Sequence, residues 1–403
     1  MLLSFAYELK IALPEHLSST GRFQTMNKLL TVNTAWKEEA YFKMKDFLLK
    51  TYDYEASDLE IGGKGSNNKI WYRIYGKKNP VEEFGSVTND EASFMLLCLL
   101  SDEEKVELLK NKNIDLSIGF KVPDSETDAR FRCDIYYENN SIAGSFRKIN
   151  HKLFPIESLG FPEPIIRRLH LNYEKRGLVL VTGITGSGKS STLDSIIHMN
   201  NHESNGHIII IGNPIEYIHK SVNCIIRHRE IGEDTLSFKK GAIESLRQDP
   251  DIIVVGEMRD PDTMAVCIEI TDSGHKTFST MHTSSAVESI HRIVGEFNAD
   301  EQDRIRNRLA DVLTVIISQK LVPNTQNSLS LAKEILSVTP SVVAAIKNNN
   351  VNEIYQMISE GKKYGMITIE QDLYNLYKNG TITKETAVNY SNNKNRIMQL
   401  LQY

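Results

Sequence analysis

Residues 183–190, with the sequence GITGSGKS, constrain this chain more than any other feature. They match the pattern G-x-x-x-x-G-K-[ST] at every fixed position, an apolar run at 177–182 (GLVLVT) precedes them, and a helix is predicted after them over 191–200. Glycines let backbone N–H groups turn inward around phosphate oxygens, and the helix N-terminus adds partial positive charge. The segment is therefore predicted to be a phosphate-binding loop, with a chance glycine-rich turn as the minor alternative.

The residues of this loop have distinct predicted tasks. Lys189 is expected to reach the β- and γ-phosphates of a nucleotide, and the Ser190 hydroxyl is expected to ligate Mg²⁺. The predicted cofactors are therefore ATP and Mg²⁺. The other residues of this region that are predicted to contact the nucleotide are Gly183, Thr185, Gly186, Ser187, Gly188 and Ser191.

Apolar runs on both sides of the loop predict the surrounding fold. Short apolar segments at 177–182, 207–211, 251–255 and 276–280 alternate with helix-like segments. This alternation is typical of a parallel sheet covered by helices on both faces, which is an α/β fold. After about Pro323 the pattern predicts helices to the end of the chain.

Before this region, the pattern predicts a small α+β domain. Strand-like runs at 70–75, 114–122 and 129–149 accompany helical patterns at 41–50 and 88–110. The predicted organisation is an N-terminal extension of weak periodicity at 1–40, the α+β domain at 41–150, a linker at 151–164, the ATPase domain at 165–322 and a helical region at 323–403.

Composition narrows the classes of protein that fit. The chain has 403 residues, of which 40% are hydrophobic and 25% charged, and its net charge is −5. The acidic balance argues against direct nucleic-acid binding. The lack of both a long apolar run and a signal-peptide pattern predicts a cytoplasmic protein. The four cysteines are far apart in the sequence, so buried reduced thiols are expected rather than a zinc site.

Polar residues that follow two of the apolar runs are the candidate catalytic groups. Glu257 comes just after the run 251–255, where a carboxylate beside the phosphate loop can polarise the attacking water. A solvated strand end is the alternative for Glu257 taken alone. His282 follows the run 276–280 and is predicted to point into the same crevice, to sense the γ-phosphate or water. A purely structural role for His282 is equally expected.

Four arginines, Arg227, Arg229, Arg247 and Arg259, lie near the acidic segments. Guanidinium groups suit phosphate oxygens, because their planar forks donate two parallel hydrogen bonds. Surface ion pairs with neighbouring carboxylates are the alternative for some of them.

Four segments resemble the secretion-type ATPase superfamily, whose members power type II secretion and type IV pili. Within it, the chain is most similar to the twitching-motility family of pilus retraction ATPases (PilT), over roughly residues 50–403. The similarity is also carried by 129–133 (ARFRC), 227–238 (RHREIGEDTLSF) and 361–390. The four segments are 183–190, 212–219 (GNPIEYIH), 249–260 (DPDIIVVGEMRD) and 274–284 (GHKTFSTMHTS).

This resemblance implies roles for individual residues. Glu257 matches the catalytic glutamate, His275 and His282 match the family's histidine box, and Glu216 and His219 match the end of its acidic box. Arg130, Arg132, Arg147 and Arg229 match arginines that contact nucleotide, some of them across a subunit interface.

The resemblance also implies an architecture and a set of partners. A PAS-like α+β domain would precede a RecA-like ATPase domain and a helical C-terminal region. Six chains would form a ring on the cytoplasmic side of the inner membrane. The partners would be a membrane platform protein of the pilus and possibly other pilus ATPases.

Two departures from the family pattern keep other functions open. The family usually places Glu-Asp where this chain has Gly212 and Asn213, and residues 140–144 lack an arginine that the family tends to have before its Gly-Ala-Gly turn. One alternative is a weakly hydrolysing regulatory relative that assembles with an active pilus motor. The other is an ATPase of a secretion or DNA-uptake pseudopilus.

Overall fold

The computed structural model of the chain describes residues 4–14, 16–122, 128–149 and 153–402. The chain divides into two compact units, Met1–His151 and Lys152–Tyr403. Each unit has its own sheet and its own hydrophobic core. Among the helices in these ranges, none is long and apolar enough to cross a membrane.

The N-terminal unit packs helices against a six-stranded antiparallel sheet of order β3-β2-β1-β6-β5-β4. Strand β5 shows why the sheet has one buried face, since Phe131, Cys133 and Ile135 are fully buried and alternate with Arg130, Arg132 and Asp134. The elements are α1 (Ala6–Ala12), α2 (Ser19–Val32), α3 (Thr34–Asp53), β1 (Ala56–Gly62), β2 (Trp71–Ile74), β3 (Lys77–Pro80), α4 (Asn89–Cys98), α5 (Asp102–Asn111), β4 (Asn113–Phe120), β5 (Ala129–Glu138) and β6 (Ser141–Lys148).

Apolar residues between Phe5 and Ala40 contribute to this core. In the described residues of this region, Phe5 just before α1, Leu9 within α1, and Phe23, Met26 and Leu30 of α2 are buried among the side chains of α4 and the sheet. The sequence predicted an extension here because the helices are short and their few apolar residues stand among many polar ones. The spacing of 23, 26 and 30 is nevertheless the spacing of one helix face.

The C-terminal unit is built on a seven-stranded sheet of order β13-β12-β7-β11-β10-β8-β9. All neighbouring pairs are parallel except β12 with β13. The elements are α6 (Glu163–Leu169), β7 (Gly177–Thr182), α7 (Lys189–Glu203), β8 (Gly206–Gly212), β9 (Cys224–Glu230), α8 (Phe238–Ser245), β10 (Ile252–Val255), α9 (Pro261–Asp272), β11 (Lys276–Met281), α10 (Ala286–Gly295), α11 (Ala299–Val312), β12 (Leu313–Pro323), β13 (Leu329–Ser337), α12 (Pro340–Lys347), α13 (Ile354–Glu360), α14 (Ile369–Lys378), α15 (Lys384–Tyr390) and α16 (Lys394–Leu400).

Apolar side chains cover both faces of this sheet, which confirms the predicted α/β class. Successive residues of one strand enter opposite cores: Leu178 and Leu180 pack with α9–α11, while Val179 and Val181 pack with α6 and α7. A strand buried on both faces reads as a continuous apolar run, which is why β7, β8, β10 and β11 were found from the sequence.

Two elements differ from the prediction. Residues 323–403 were expected to be helical, but β13 lies there and pairs along its whole length with β12. Its sequence (LSLAKEILS) contains two charged residues within an apolar run. The fold accommodates Lys333 and Glu334 in buried positions because each of them has a polar partner. The single helix predicted over 88–110 is interrupted, because the Ser101 side chain caps a second helix at Glu104.

Candidate nucleotide site

The phosphate loop lies between β7 and α7, at the carboxyl edge of the parallel sheet. Gly183 begins it with a φ of +151°, and a Cβ there would lie 2.3 Å from Ser187 Oγ and 2.5 Å from the Gln319 carbonyl oxygen. Only glycine fits this position. Ser187 and Lys189 are buried, and the side chains of Thr185, Ser190 and Ser191, with Gly186 and Gly188, lie at the accessible side of the loop.

Lys189 is held inside the loop by its own backbone. Its Nζ donates to the carbonyl oxygens of Gly183 at 2.8 Å and Ile184 at 3.1 Å. Burial lowers the pKa of this ammonium, while the charges of Glu257 and Glu216 oppose that shift. The loop thus presents a fixed cation, in the position that the sequence predicted for contact with phosphates.

His282 connects this lysine to the candidate base. Its Nδ1 lies 3.4 Å from Lys189 Nζ and its Nε2 lies 3.0 Å from Glu257 Oε1. Since an ammonium can only donate, Nδ1 is assigned as the acceptor and Nε2 carries the hydrogen that Glu257 accepts. Burial, followed by the Lys189 charge, lowers the pKa of His282, so the imidazole stays neutral at pH 7.

Backbone hydrogen bonds of its two neighbours to the sheet hold Glu257 in position next to His282. The Gly256 N–H donates to the Ile211 carbonyl at 2.8 Å, and the Met258 N–H donates to the Thr280 carbonyl at 3.0 Å. Glu257 therefore lies between the ends of β8 and β11, with a side chain only 16% exposed. Its second oxygen accepts from Arg259 Nε at 2.7 Å. The two contacts orient the carboxylate beside the phosphate loop.

Glu216 approaches the same lysine from a different segment. It lies in the stretch 213–223, which connects β8 to β9 without a helix or strand. Its neighbour Ile215 is buried, and the Ile215 N–H donates to Glu230 Oε2 at 3.1 Å. Gly212 ends β8 and Asn213 is exposed, so this edge carries fewer carboxylates than the family pattern implies.

His275 was predicted to join this site, and the structure places it elsewhere. It lies at the amino end of β11, where its carbonyl accepts from the Gly177 N–H and its ring contacts Ser273 and the Ile270 carbonyl. His282 follows the carboxyl end of the same strand. A six-residue strand separates the two by on the order of 20 Å, so a shared sequence motif does not mean a shared site.

Arg229 also lies away from the loop within one chain. It is the penultimate residue of β9, four strands from β7, which corresponds to about 19 Å across the sheet. Its Nη2 donates to Glu244 Oε2 at 2.8 Å and to the Asp234 carbonyl at 3.1 Å. The ion-pair alternative therefore describes Arg229 in the single chain.

The other predicted arginines belong to the N-terminal unit, on the sheet face opposite its core. Arg132 of β5 is paired in register with Arg147 of β6. Arg147 donates to Asp58 at 2.9 Å, Arg132 donates to Asp115 at 3.1 Å and Arg130 donates to Ser117 at 3.1 Å. These acceptors offset the repulsion between neighbouring guanidinium groups.

Two residues that support the site were not predicted. Gln319 of β12 donates from Nε2 to the Ser187 carbonyl at 2.8 Å, and Arg292 of α10 donates to the His282 carbonyl at 3.0 Å. The signal for Gln319 was available, since it is a polar residue within the apolar run LTVIISQKLV and it is buried.

The family model described as "Type II/IV secretion system protein" matches residues 45–399. A twitching motility protein of Neisseria gonorrhoeae is 34% identical over 316 residues, which are 78% of this chain and 82% of that protein. The type IV pilus retraction ATPase PilT of Pseudomonas aeruginosa is 37% identical over 289 residues, 72% of this chain and 82% of its own. The crystal structure of the pilus retraction motor PilT with bound ADP superposes with a TM-score of 0.78 at 32% identity, covering 88% of this chain and 98% of that one.

Proposed function

This chain belongs to the type II/IV secretion system protein family, and we propose that it is an ATP-hydrolysing motor that drives type IV pilus retraction. The observation that carries the proposal is the hydrogen-bonded line from Lys189 through His282 to Glu257. It joins the group that would hold the phosphates to the group that would activate water. The relatives named for twitching motility and pilus retraction support pilus retraction as the process that ATP hydrolysis drives.

In the proposed reaction, Lys189 and the backbone of the loop hold the nucleotide phosphates and offset the charge that develops on them. Glu257 accepts a hydrogen bond from the attacking water and orients it towards the γ-phosphorus. His282 donates to Glu257, so it holds that carboxylate in position beside the phosphate loop. Glu257 and His282 thus lie in one hydrogen-bonded line with Lys189, and the charge of Glu216 also acts on this lysine.

The residues present also fit Mg²⁺. This ion is usually held by one or two protein oxygens together with substrate phosphates, and Ser190 supplies a hydroxyl at the second residue of α7. The described part of the chain contains no group of three or more His, Cys, Asp or Glu residues able to hold a metal alone. When bound, the ion would neutralise phosphate charge.

We further propose a ring of six chains, in which the arginines of one chain reach the nucleotide of its neighbour. Arg130, Arg132 and Arg147 share one face of a sheet, and that unit contains no phosphate loop of its own. Strand β9 is an edge strand of the seven-stranded sheet, and Val222 just before it and Ile225 within it are more than half exposed. The ring would act at the cytoplasmic side of the inner membrane, on a pilus platform protein.

Ring formation has a direct test in mixed assemblies. Arg132→Ala chains and Lys189→Ala chains should each be nearly inactive alone. A mixture should regain part of the parent ATPase rate, because an intact Lys189 can meet an intact Arg132 at some interfaces. Arg73→Ala, on the same sheet face, is the matched control and should keep the parent rate. Turnover by a monomer, independent of protein concentration, would refute the ring.

One observation favours a second function. The end of β8 carries Gly212 and Asn213, so it offers no carboxylate to the water or the metal. A regulatory subunit that binds ATP, hydrolyses it slowly and assembles with an active pilus motor would have this arrangement. Steady-state hydrolysis by the purified chain separates the two functions: a motor turns over alone, while the regulatory subunit needs its partner.

A further inference from the structure

The segment 213–223 is fastened to helix α7, the same helix that begins with Lys189 and Ser190. Near the end of α7, the Asn201 side chain donates to the Lys220 carbonyl of the segment at 2.8 Å and accepts from the Val222 N–H at 3.0 Å. Nearer the start of α7, Asp194 Oδ1 lies 3.1 Å from His219 Nε2 of the segment. Asp194 stands four residues after Ser190, one turn further along α7.

His219 is fixed from three sides, and its side chain is only 1% exposed. Besides the bond to Asp194, its backbone N–H donates to His228 Nε2 of β9 at 3.1 Å. The two imidazole rings lie parallel, with centroids 6.2 Å apart, and the Tyr217 ring meets His219 edge-on at 4.6 Å. Burial lowers the pKa of His219 and raises the pKa of Asp194, so the pair is held without a net buried charge.

Glu216 lies between two anchors of this segment. On one side, Ile215 is buried and bonded to Glu230; on the other, His219 is bonded to Asp194 and His228. With both sides fixed, the backbone of Glu216 cannot move away from the phosphate loop unless one of these contacts breaks. Asp194 therefore couples the position of Glu216 to the helix that holds the phosphates.

We propose that Asp194, His219 and His228 are positioning residues for ATP hydrolysis, which act by holding Glu216 beside the phosphate loop. This inference rests on the proposed ATPase function and adds to it three residues outside the phosphate loop and the Glu257 line. None of the three needs to touch the nucleotide, since their effect passes through Glu216. A movement of α7 on nucleotide binding or release would pass to the same segment.

The test is a double-mutant cycle between Asp194 and Glu216. Asp194→Ala should lower kcat about tenfold, since it removes one buried hydrogen bond that orients the segment, and nucleotide affinity should change less than about twofold. In the Glu216→Gln background the same change should lower kcat no further. Asp194→Asn should restore most of the rate, because its amide can still bond to His219.

His202→Ala is the matched control, since His202 is an exposed histidine on the same helix, and it should keep the parent kcat. An unchanged kcat for Asp194→Ala, or an equal loss with and without Glu216, would overturn the proposal. If Asp194→Ala does not fold, His228→Ala replaces it in the cycle, with the same expected lack of additivity, and an additive loss there overturns the proposal equally. A parent that does not hydrolyse ATP at all would instead refute the proposed function, and this inference with it.

Discussion

Replacement of His282 by alanine tests the line from the phosphate loop to the candidate base. The change removes the His282 Nε2–H group, which donates a hydrogen bond to Glu257 Oε1 at 3.0 Å, and the Nδ1 acceptor, which faces Lys189 Nζ. A hydrogen bond to a charged group contributes about 1.5–3 kcal/mol. Because the His282 side chain is 35% exposed, water replaces part of that contribution, and the lower end of the range applies.

A loss of about 1.5–2 kcal/mol in the transition state lowers kcat about 10- to 30-fold. Nucleotide affinity should change less than about threefold, because Lys189 keeps its two carbonyl acceptors in the loop and remains in place. His282→Gln should recover part of the rate, since its amide can donate to Glu257.

The assay is steady-state phosphate release at saturating ATP, together with fluorescence titration of a labelled nucleotide. Arg259→Ala is the comparison variant: Arg259 contacts the other oxygen of Glu257, but its side chain is 64% exposed, so its loss should cost a few-fold at most. A His282→Ala rate equal to that of the parent, or a loss smaller than that of Arg259→Ala, would refute the reasoning.

Three further predictions follow from particular residues. The lowered pKa of His282 extends its neutral form towards acidic pH, so kcat should begin to fall only below the usual titration range of histidine, and this acid limb should be absent in His282→Ala. Asn213→Asp should raise turnover at limiting Mg²⁺ more than at saturating Mg²⁺. A magnesium titration of turnover that superimposes on the parent's would contradict this. Gly212→Glu is the poorer probe, because a Cβ at that position would lie 2.7 Å from Ile215 Cδ1. Leu30→Ala should destabilise the chain by about 2–5 kcal/mol in urea unfolding, whereas Val32→Ala, at a 74% exposed position on the same helix, should change stability by less than about 0.5 kcal/mol.

The elements found from the sequence are those whose signals are local. The bounds of β7 are those of the apolar run 177–182, and the loop 183–190 was identified from its own residues. Strand β9 was missed because it is an edge strand: Ile225 and Arg227 are exposed, and the apolar run is broken. Strand β13 was missed because its charged residues find partners only in the folded chain, as Lys333 does with Asp372.

The site shows the same division. Lys189 and Glu257 could be predicted because each follows directly from a strand, a loop and the rule that parallel strands end at one edge. The pairing of Asp194 with His219 could not, because the two are far apart in the sequence and nothing local links them. His275 was assigned to the site from a motif, although the intervening strand carries its two histidines to opposite edges of the sheet.

The measurement that tests the central claim most directly compares Lys189→Ala and Glu257→Gln for nucleotide affinity and ATP hydrolysis. The account predicts that Lys189→Ala loses nucleotide affinity. Glu257→Gln should bind nucleotide as the parent does and hydrolyse it about 100-fold more slowly, because the amide cannot accept the proton of the attacking water. If Glu257→Gln hydrolyses ATP at the parent rate, Glu257 is not the base, and the assignment of this site is contradicted.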